Sequence, residues 1–224
     1  MTPVETLAKT VRRSIRAFLP TPVEPALLHT VLRQARQAPS GANLQPGHVV
    51  QVQGAVRQAL SQELLRAWRE QYPAQEDYGY FPRPMPLHLR RRQVAAAQAL
   101  YGALDVERDD KAGRDAQFAR NFCFFDAPVA LIVTIDSRFG AGGYMDLGMM
   151  LYGLMLAAHE HGLASCAIGA MASYPGIIRQ HLGLDASQHV VCGVALGYAD
   201  PAAPVNQTVT ERSGLDEFFT VRGA

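Results

Sequence analysis

The stretch Tyr144–Glu160, YMDLGMMLYGLMLAAHE, decides the fold class. Apolar residues occupy every side of its helical wheel, with one acid, Asp146, near the start. Such a helix is buried on all sides, so it is predicted to lie at the centre of the domain or in an interface between chains. Gly148 and Gly153 would let another backbone come close. The run Met145–Ala158 is too short to cross a bilayer. Working outward, Val129–Ile135 (VALIVTI) precedes this helix and Val190–Gly197 (VVCGVALG) follows it. Continuous apolar runs of that length read as strands covered on both faces. Leu163–Gly169 (LASCAIG) and 47–53 (GHVVQVQ) are further strand candidates. Helices are predicted over the opening residues, from Pro25 to the stop at Pro39, from Val56 to near Gln71, from Arg90 to Leu100 and from Lys111 to Phe125. A last one starts at Ser173, with Pro175 in its first turn, and is closed by Gly183. Helices outnumber strands, and the strands lie far apart in sequence. The fold class is α+β: a layered domain with a central sheet flanked by helices.

Two segments stand outside this scheme. In 72–86, Tyr72, Tyr78, Tyr80 and Phe81 are interspersed with Pro73, Pro82, Pro84 and Pro86, which rules out a regular helix or inner strand. It reads either as a lid or pocket wall, or as a surface loop glued down by its aromatics. From Ala199 onward the chain is Pro-rich and irregular, with too little to build a core of its own. Its expected use is to wrap a partner or close a site. Gly140–Gly143 looks like a phosphate loop, but neither G-x-G-x-x-G nor G-K-[ST] is present, which excludes dinucleotide-fingerprint and P-loop readings.

Composition narrows the function. Charged residues are 18% of the 224, against about 25% in an average domain, which suggests surface lost to a partner chain. The net charge of +1 argues against nucleic acid as the main ligand, so any anion site must be local. Cys123, Cys166 and Cys192 are odd in number and form no C-x-x-C pair, so neither a disulfide framework nor a zinc site is expected. Each reads as a buried small hydrophobe in a reducing compartment. The opening MTPVETLAKTVRRS has no apolar signal core, and a cytoplasmic protein is expected.

Chemistry concentrates in Arg12-Arg13-Ser14-Ile15-Arg16. Three guanidinium forks and a hydroxyl can clamp a phosphate by charge-assisted hydrogen bonds. The same residues can also be a solvated basic patch. Arg90-Arg91-Arg92 reads as a solvated helix start or a partner contact. What favours the clamp is a second segment, Ala38-Pro39-Ser40-Gly41-Ala42-Asn43-Leu44-Gln45-Pro46.

These two segments, the apolar helix, Val191–Pro201 (VCGVALGYADP) and a late Arg212 together resemble the FMN-dependent nitroreductase family, in order and spacing, over essentially the whole chain. The resemblance implies one domain over 1–224 with a mixed central sheet, and an intertwined homodimer holding FMN at the subunit interface. It also implies an excursion at 72–92 near the active site and a C-terminal extension, 199–224, onto the partner. By resemblance, Arg12 and Ser14 hold the FMN phosphate and ribityl chain, with Arg13 beside them. Arg16 lies by the ribityl and pyrimidine end, and Arg212 reaches the phosphate. Pro39, Ser40, Gly41, Asn43 and Gln45 line the isoalloxazine from the other subunit. Ile168, Gly169 and Ala170 lay backbone near N5, and Ile15 turns inward to hold the segment to the core. The implied activity is ping-pong hydride transfer from NADH or NADPH through FMN to a nitroaromatic or quinone, with no catalytic side chain and no metal. Reductive dehalogenation or ene reduction on the same fold, or non-catalytic flavin binding, are the alternatives. Two departures stand out: Gly47 follows Pro46 where an aromatic is frequent, and Thr210 stands where a second cation is common. The second implies weaker phosphate holding.

Overall fold

The strand candidates join into one four-stranded sheet. In the computed structural model, which describes residues 12–223, β1 (His48–Val52), β2 (Val129–Asp136), β3 (Ala164–Ile168) and β4 (Gln188–Gly197) are ordered β1-β2-β4-β3. Every adjacent pair is antiparallel. The expected mixed sheet is corrected here. β2 and β3 run parallel to each other, but β4 is inserted between them, so no two neighbouring strands are parallel. The parallel pairing among the described residues is an isolated bridge, Ser14 to Ser165, on the edge strand β3. The helix expected over the opening residues lies outside the described ones.

The helices are α1 (Pro25–Ala35), α2 (Gly54–Arg69), α3 (Leu87–Ala103), α4 (Lys111–Ala119), α5 (Ala141–Glu160), α6 (Pro175–Leu182) and the single turn α7 (Leu215–Phe218). Alternation along β2 sorts the core into two layers, as the two-residue period of a strand requires. Leu131 and Val133 point to a cluster with Leu28, Val31, Leu147 and Leu154 from α1 and α5. Ala130 and Ile132 point the other way, to Leu60, Leu64, Phe122 and Ile178. α1 and α5 come close at Gly153, where an added Cβ would lie 3.7 Å from the Ala35 carbonyl oxygen. Gly148 faces open space instead.

Three expectations change in detail. α3 begins directly after Pro86, three residues before Arg90. The helix from Lys111 breaks at Ala119 into a 3₁₀ segment, Arg120–Asp126, because Phe124, Phe125 and Asp126 take φ of 54°, 52° and 59°. Left-handed backbone costs about 1–2 kcal/mol per residue. Complete burial of Phe124 and Phe125, at about 1.5–3 kcal/mol per side chain, offsets it. The third change matters most: α5 is not buried all round. Leu147, Met150, Leu154 and Ala158 face the core, but Met145, Met149, Tyr152 and Leu156 form an exposed stripe along the other side.

Cys166 and Cys192 are buried and Cys123 half-buried, which corrects its expected full burial; all three are free thiols. Burial pushes the thiol of Cys192 up to about 12 and raises Cys166 and Cys123 as well. A thiolate is the reactive form. Titration of the folded protein with a chromogenic disulfide at pH 8 is therefore expected to leave Cys166 and Cys192 unmodified until denaturant is added. Among the described residues no helix is long and apolar enough to cross a membrane, and no cluster of acids, His and Cys could hold a metal ion.

Candidate functional site

The Arg12–Arg16 segment lies against the edge of the sheet. Ser14 bridges Ser165, and the Ile15 N–H donates to the Ser165 carbonyl at 3.1 Å. Ile15 is buried, as expected, so Ser14 and Arg16 project from the opposite side of this extended stretch. Asn206 fixes the segment from behind. Its Oδ1 accepts from the N–H groups of Arg16 (2.9 Å) and Ala17 (3.2 Å), and its Nδ2 donates to the carbonyls of Ala17 (2.8 Å) and Asp200 (2.9 Å). These four bonds use the whole capacity of a buried amide. Arg16 also donates to the Ser14 carbonyl at 3.3 Å.

The Cys166 thiol lies next to this segment on β3. Burial raises it, while Arg16, the Ser14 hydroxyl and Arg12 each pull it down. Ser14 pairs with Ser165 beside Cys166 on β3, and Arg16 reaches back to Ser14. Among the described residues, no carboxylate pairs with Arg12, Arg13 or Arg16. Arg13 is exposed, whereas Arg12 and Arg16 are half-buried. Half-buried cations without an acid could hold an anion.

The second segment is held by different parts of the fold. The Gly41 N–H donates to the Asp146 carboxylate of α5 at 3.0 Å. Ser40 Oγ accepts from the Gln45 N–H at 2.9 Å, and the Gln45 side chain turns back to the Asn43 carbonyl at 3.1 Å. Arg36 donates to the carbonyls of Gln45 (2.8 Å) and Gly47 (3.0 Å). Ala42, Asn43 and Gln45 all have positive φ, of 49°, 58° and 50°. Strained, non-glycine backbone of this kind persists only where the surroundings over-determine it. Pro39, Gly41, Asn43, Leu44 and Gln45 are exposed. The hydrogen bonds holding this segment share no partner with those holding Arg12–Arg16.

Gly47 explains one departure from the family pattern. Its φ is +98°, and a Cβ there would lie 2.4 Å from Leu147 Cδ1. The position excludes an aromatic in this chain. The other departure also has a structural counterpart. Arg212 donates to Thr210 Oγ1 (2.8 Å) and to the carbonyls of Thr210 and Glu211, both at 3.0 Å. It lines a groove of about 580 Å³ between the tail and α3, with Arg92 and Glu217. Arg212 is thus hydrogen-bonded onto its own tail. The tail stays on its own α3 through the Arg92–Glu217 pair at 2.7 Å. No residue of α3 is buried.

Ile168, Gly169 and Ala170 mark the end of β3 and the 3₁₀ turn that follows. Ile168 is core, so only its backbone is available; Gly169 is exposed. The ring of Tyr80 lies over it, with Cε2 4.0 Å from where a Cβ on Gly169 would stand. The 72–86 segment is fastened at its start and exposed further on. Tyr78 is fastened, its hydroxyl donating to the Val191 carbonyl at 2.8 Å, and burial raises its pKa. Tyr80 and Phe81 are exposed.

Sequence reasoning missed Asp146, Asn206 and Arg36. Asp146 had a signal, an acid set among apolar residues near the start of α5; the other two had none.

Comparison with known proteins agrees with this arrangement. The model of the nitroreductase family matches residues 10–198. The chain is 40% identical to a 4-nitrobenzoate reductase of Pseudomonas putida, covering 95% of this chain and 92% of that protein. It is 34% identical to a nitrobenzene nitroreductase of Ectopseudomonas oleovorans, covering 93% and 92%. Among solved structures, the FMN and NADPH-dependent nitroreductase NfnB from sphigopyxis sp. strain HMH superposes with a TM-score of 0.92 at 39% identity, over 100% of both chains. The FMN-dependent NfnB of Mycobacterium smegmatis in complex with NADPH gives 0.90 at 31% identity, over 98% of each. With its sheet, its cation cluster and its strained 39–46 segment in the same frame, this chain belongs to the nitroreductase family.

Proposed function

We propose that the protein is a cytoplasmic NAD(P)H-dependent FMN nitroreductase that works as a homodimer. Each flavin would sit between the Arg12–Arg16 clamp of one chain and the Pro39–Gln45 segment of a second copy. The observation that carries this reading is the Arg12–Arg16 segment laid along the edge strand β3 through Ser14 and Ile15, with no carboxylate pairing its arginines among the described residues. The donor set fits a phosphate-bearing ligand, and each charge-assisted bond to it contributes roughly 1.5–3 kcal/mol. The dimer is supported by three surfaces that one chain leaves uncovered: the stripe on α5, the unburied α3, and Leu215, Phe218 and Phe219 of the tail. The two candidate segments are also held by separate parts of the fold, which suits a site completed by a second copy.

When bound, FMN supplies the redox chemistry, hydride transfer from a nicotinamide to the acceptor. The chain's own residues bind and orient. Arg12 and Ser14 hold the phosphate and ribityl end, with Arg13 nearer solvent. Arg212 joins them once it swings off Thr210. Arg16 sets a fixed positive charge by the pyrimidine end. The backbone of Ile168, Gly169 and Ala170 presents N–H and carbonyl groups to the reacting edge. Pro39, Ser40, Gly41, Asn43 and Gln45 cover the ring while leaving one face open for a flat molecule. No side chain is assigned as an acid or base. The acceptor class is nitroaromatic, and 4-nitrobenzoate is the first candidate because a relative at 40% identity is a reductase of it.

The purified protein is expected to show a flavin spectrum that bleaches anaerobically with NADPH or NADH and returns when 4-nitrobenzoate is added. A bound flavin that stays oxidised with both nicotinamides would refute the reductase. A panel with a quinone, a halotyrosine and an enone separates nitro reduction from other chemistry on this fold.

A further inference from the structure

The first half of the 72–86 segment is keyed to three separate elements by polar bonds. The Gln75 N–H donates to the Ser173 carbonyl at 3.0 Å. One oxygen of the Asp77 carboxylate accepts from Arg179 of α6 at 2.6 Å and from the Val190 N–H of β4 at 2.9 Å. Arg179 also donates to the Gln188 carbonyl at 3.2 Å. Asp77 is 12% exposed at its side chain and Arg179 22%. Tyr78 adds its bond to Val191. Beyond Tyr78 the chain runs outward as aromatics in tilted and edge-on contact. Tyr80 lies 6.2 Å from Tyr78 and 4.7 Å from Phe81, ring to ring. The tip is closed by the exposed Arg83–Glu76 pair at 3.3 Å, a kind of contact that contributes little. So the position of Tyr80 over Gly169 is set from its N-terminal side, by the anchor at 77.

A sheltered ion pair is a costly way to hold a loop, since apolar contacts of similar volume are often at least as stabilising. What an ion pair with directed hydrogen bonds adds is one definite position. That position is the one that matters for the proposed site, because Tyr80 stands against Gly169.

We propose that Asp77 is a positioning residue: it keys the loop to β4 and α6 so that Tyr80 stands over Gly169, and Tyr80 bounds the size of aromatic acceptor the site admits. This rests on the flavin-reductase reading above, with Gly169 beside the reacting edge. A loop free of its anchor lets Tyr80 swing out and widens the site; a loop without the Tyr80 ring is wide whatever the anchor does.

The test uses the FMN-loaded enzyme and two acceptors, one-ring 4-nitrobenzoate and two-ring 1-nitronaphthalene, and reads the ratio of their kcat/KM. Tyr80→Ala, an exposed change that leaves the core untouched, is expected to shift the ratio towards the two-ring acceptor by about tenfold. Asp77→Asn shifts it in the same direction. Asp77→Glu, which keeps the charge but displaces the loop, does so too and serves if Asp77→Asn does not fold. The double variant Asp77→Asn/Tyr80→Ala matches Tyr80→Ala alone, because the anchor acts only through the ring. A merely structural role for Asp77 would lower both acceptors alike and leave the ratio fixed. An unchanged ratio in Tyr80→Ala, or effects of the two changes that multiply, overturns the inference while the reductase reading stands. A parent flavin that neither nicotinamide reduces overturns both.

Discussion

The Met149→Lys/Tyr152→Lys variant is expected to sediment as a single chain and to lose its flavin. Met145, Met149, Tyr152 and Leu156 follow one another at helical spacing on the open side of α5, and Tyr152 is 54% exposed. Burying such side chains contributes up to about 1.5–3 kcal/mol each, and a two-fold interface counts every one twice. Lysines at its centre would remove that contribution, strand charges away from water and set like charges against each other across the axis. The chain itself should still fold, because the core side of α5, Leu147, Met150 and Leu154, is untouched. Ultracentrifugation, with flavin content read in the same samples, checks both halves of the expectation. A variant that remains dimeric with full flavin would remove α5 from the interface. A monomer that keeps its flavin would place the whole site within one chain.

That stripe also shows where the sequence stops being readable. A helix apolar on every side announces that it is covered everywhere, but not by what, since core and interface draw on the same side chains. The strands were legible because their chemistry is local: VALIVTI can only be a covered strand, and its alternation sorted itself onto two clusters. The site was legible as a list of segments and not as a construction. Asp146 meets Gly41 across 105 positions and Asn206 meets Arg16 across 190. No spacing rule reaches that far. Ala42 and Gln45 at positive φ were invisible for another reason: neither residue type favours that backbone, so the conformation is held by bonds from Asp146, Arg36 and Ser40 that residue type alone does not announce. In the same way Phe124 and Phe125, buried in the core, interrupted a helix that its own periodicity would have continued.

Arg12→Ala is expected to weaken FMN binding by roughly 10- to 150-fold, the equivalent of one charge-assisted bond of about 1.5–3 kcal/mol, with the thermal midpoint of the flavin-free protein unchanged. Arg12 pairs with no carboxylate among the described residues, so its removal leaves no stranded partner, and the loss should fall on the ligand alone. Arg13→Ala serves as the control. It removes the same charge from the same segment, but from an exposed position, where solvent screens it and the cost should be several-fold smaller. Fluorescence titration of the flavin-free proteins with FMN distinguishes the two. Equal losses would mean that the cluster acts as a diffuse basic field. Equal retention of FMN in Arg12→Ala and the parent would remove Arg12 from the clamp. Arg16 separates phosphate holding from ring tuning, because its side chain reaches back to the Ser14 carbonyl while its backbone is fixed by Asn206. Arg16→Gln should therefore lower the flavin's reduction potential more than it lowers FMN affinity, the reverse of the balance at Arg12. The same contrast tests whether Arg12 and Arg16 hold one end of the ligand or both.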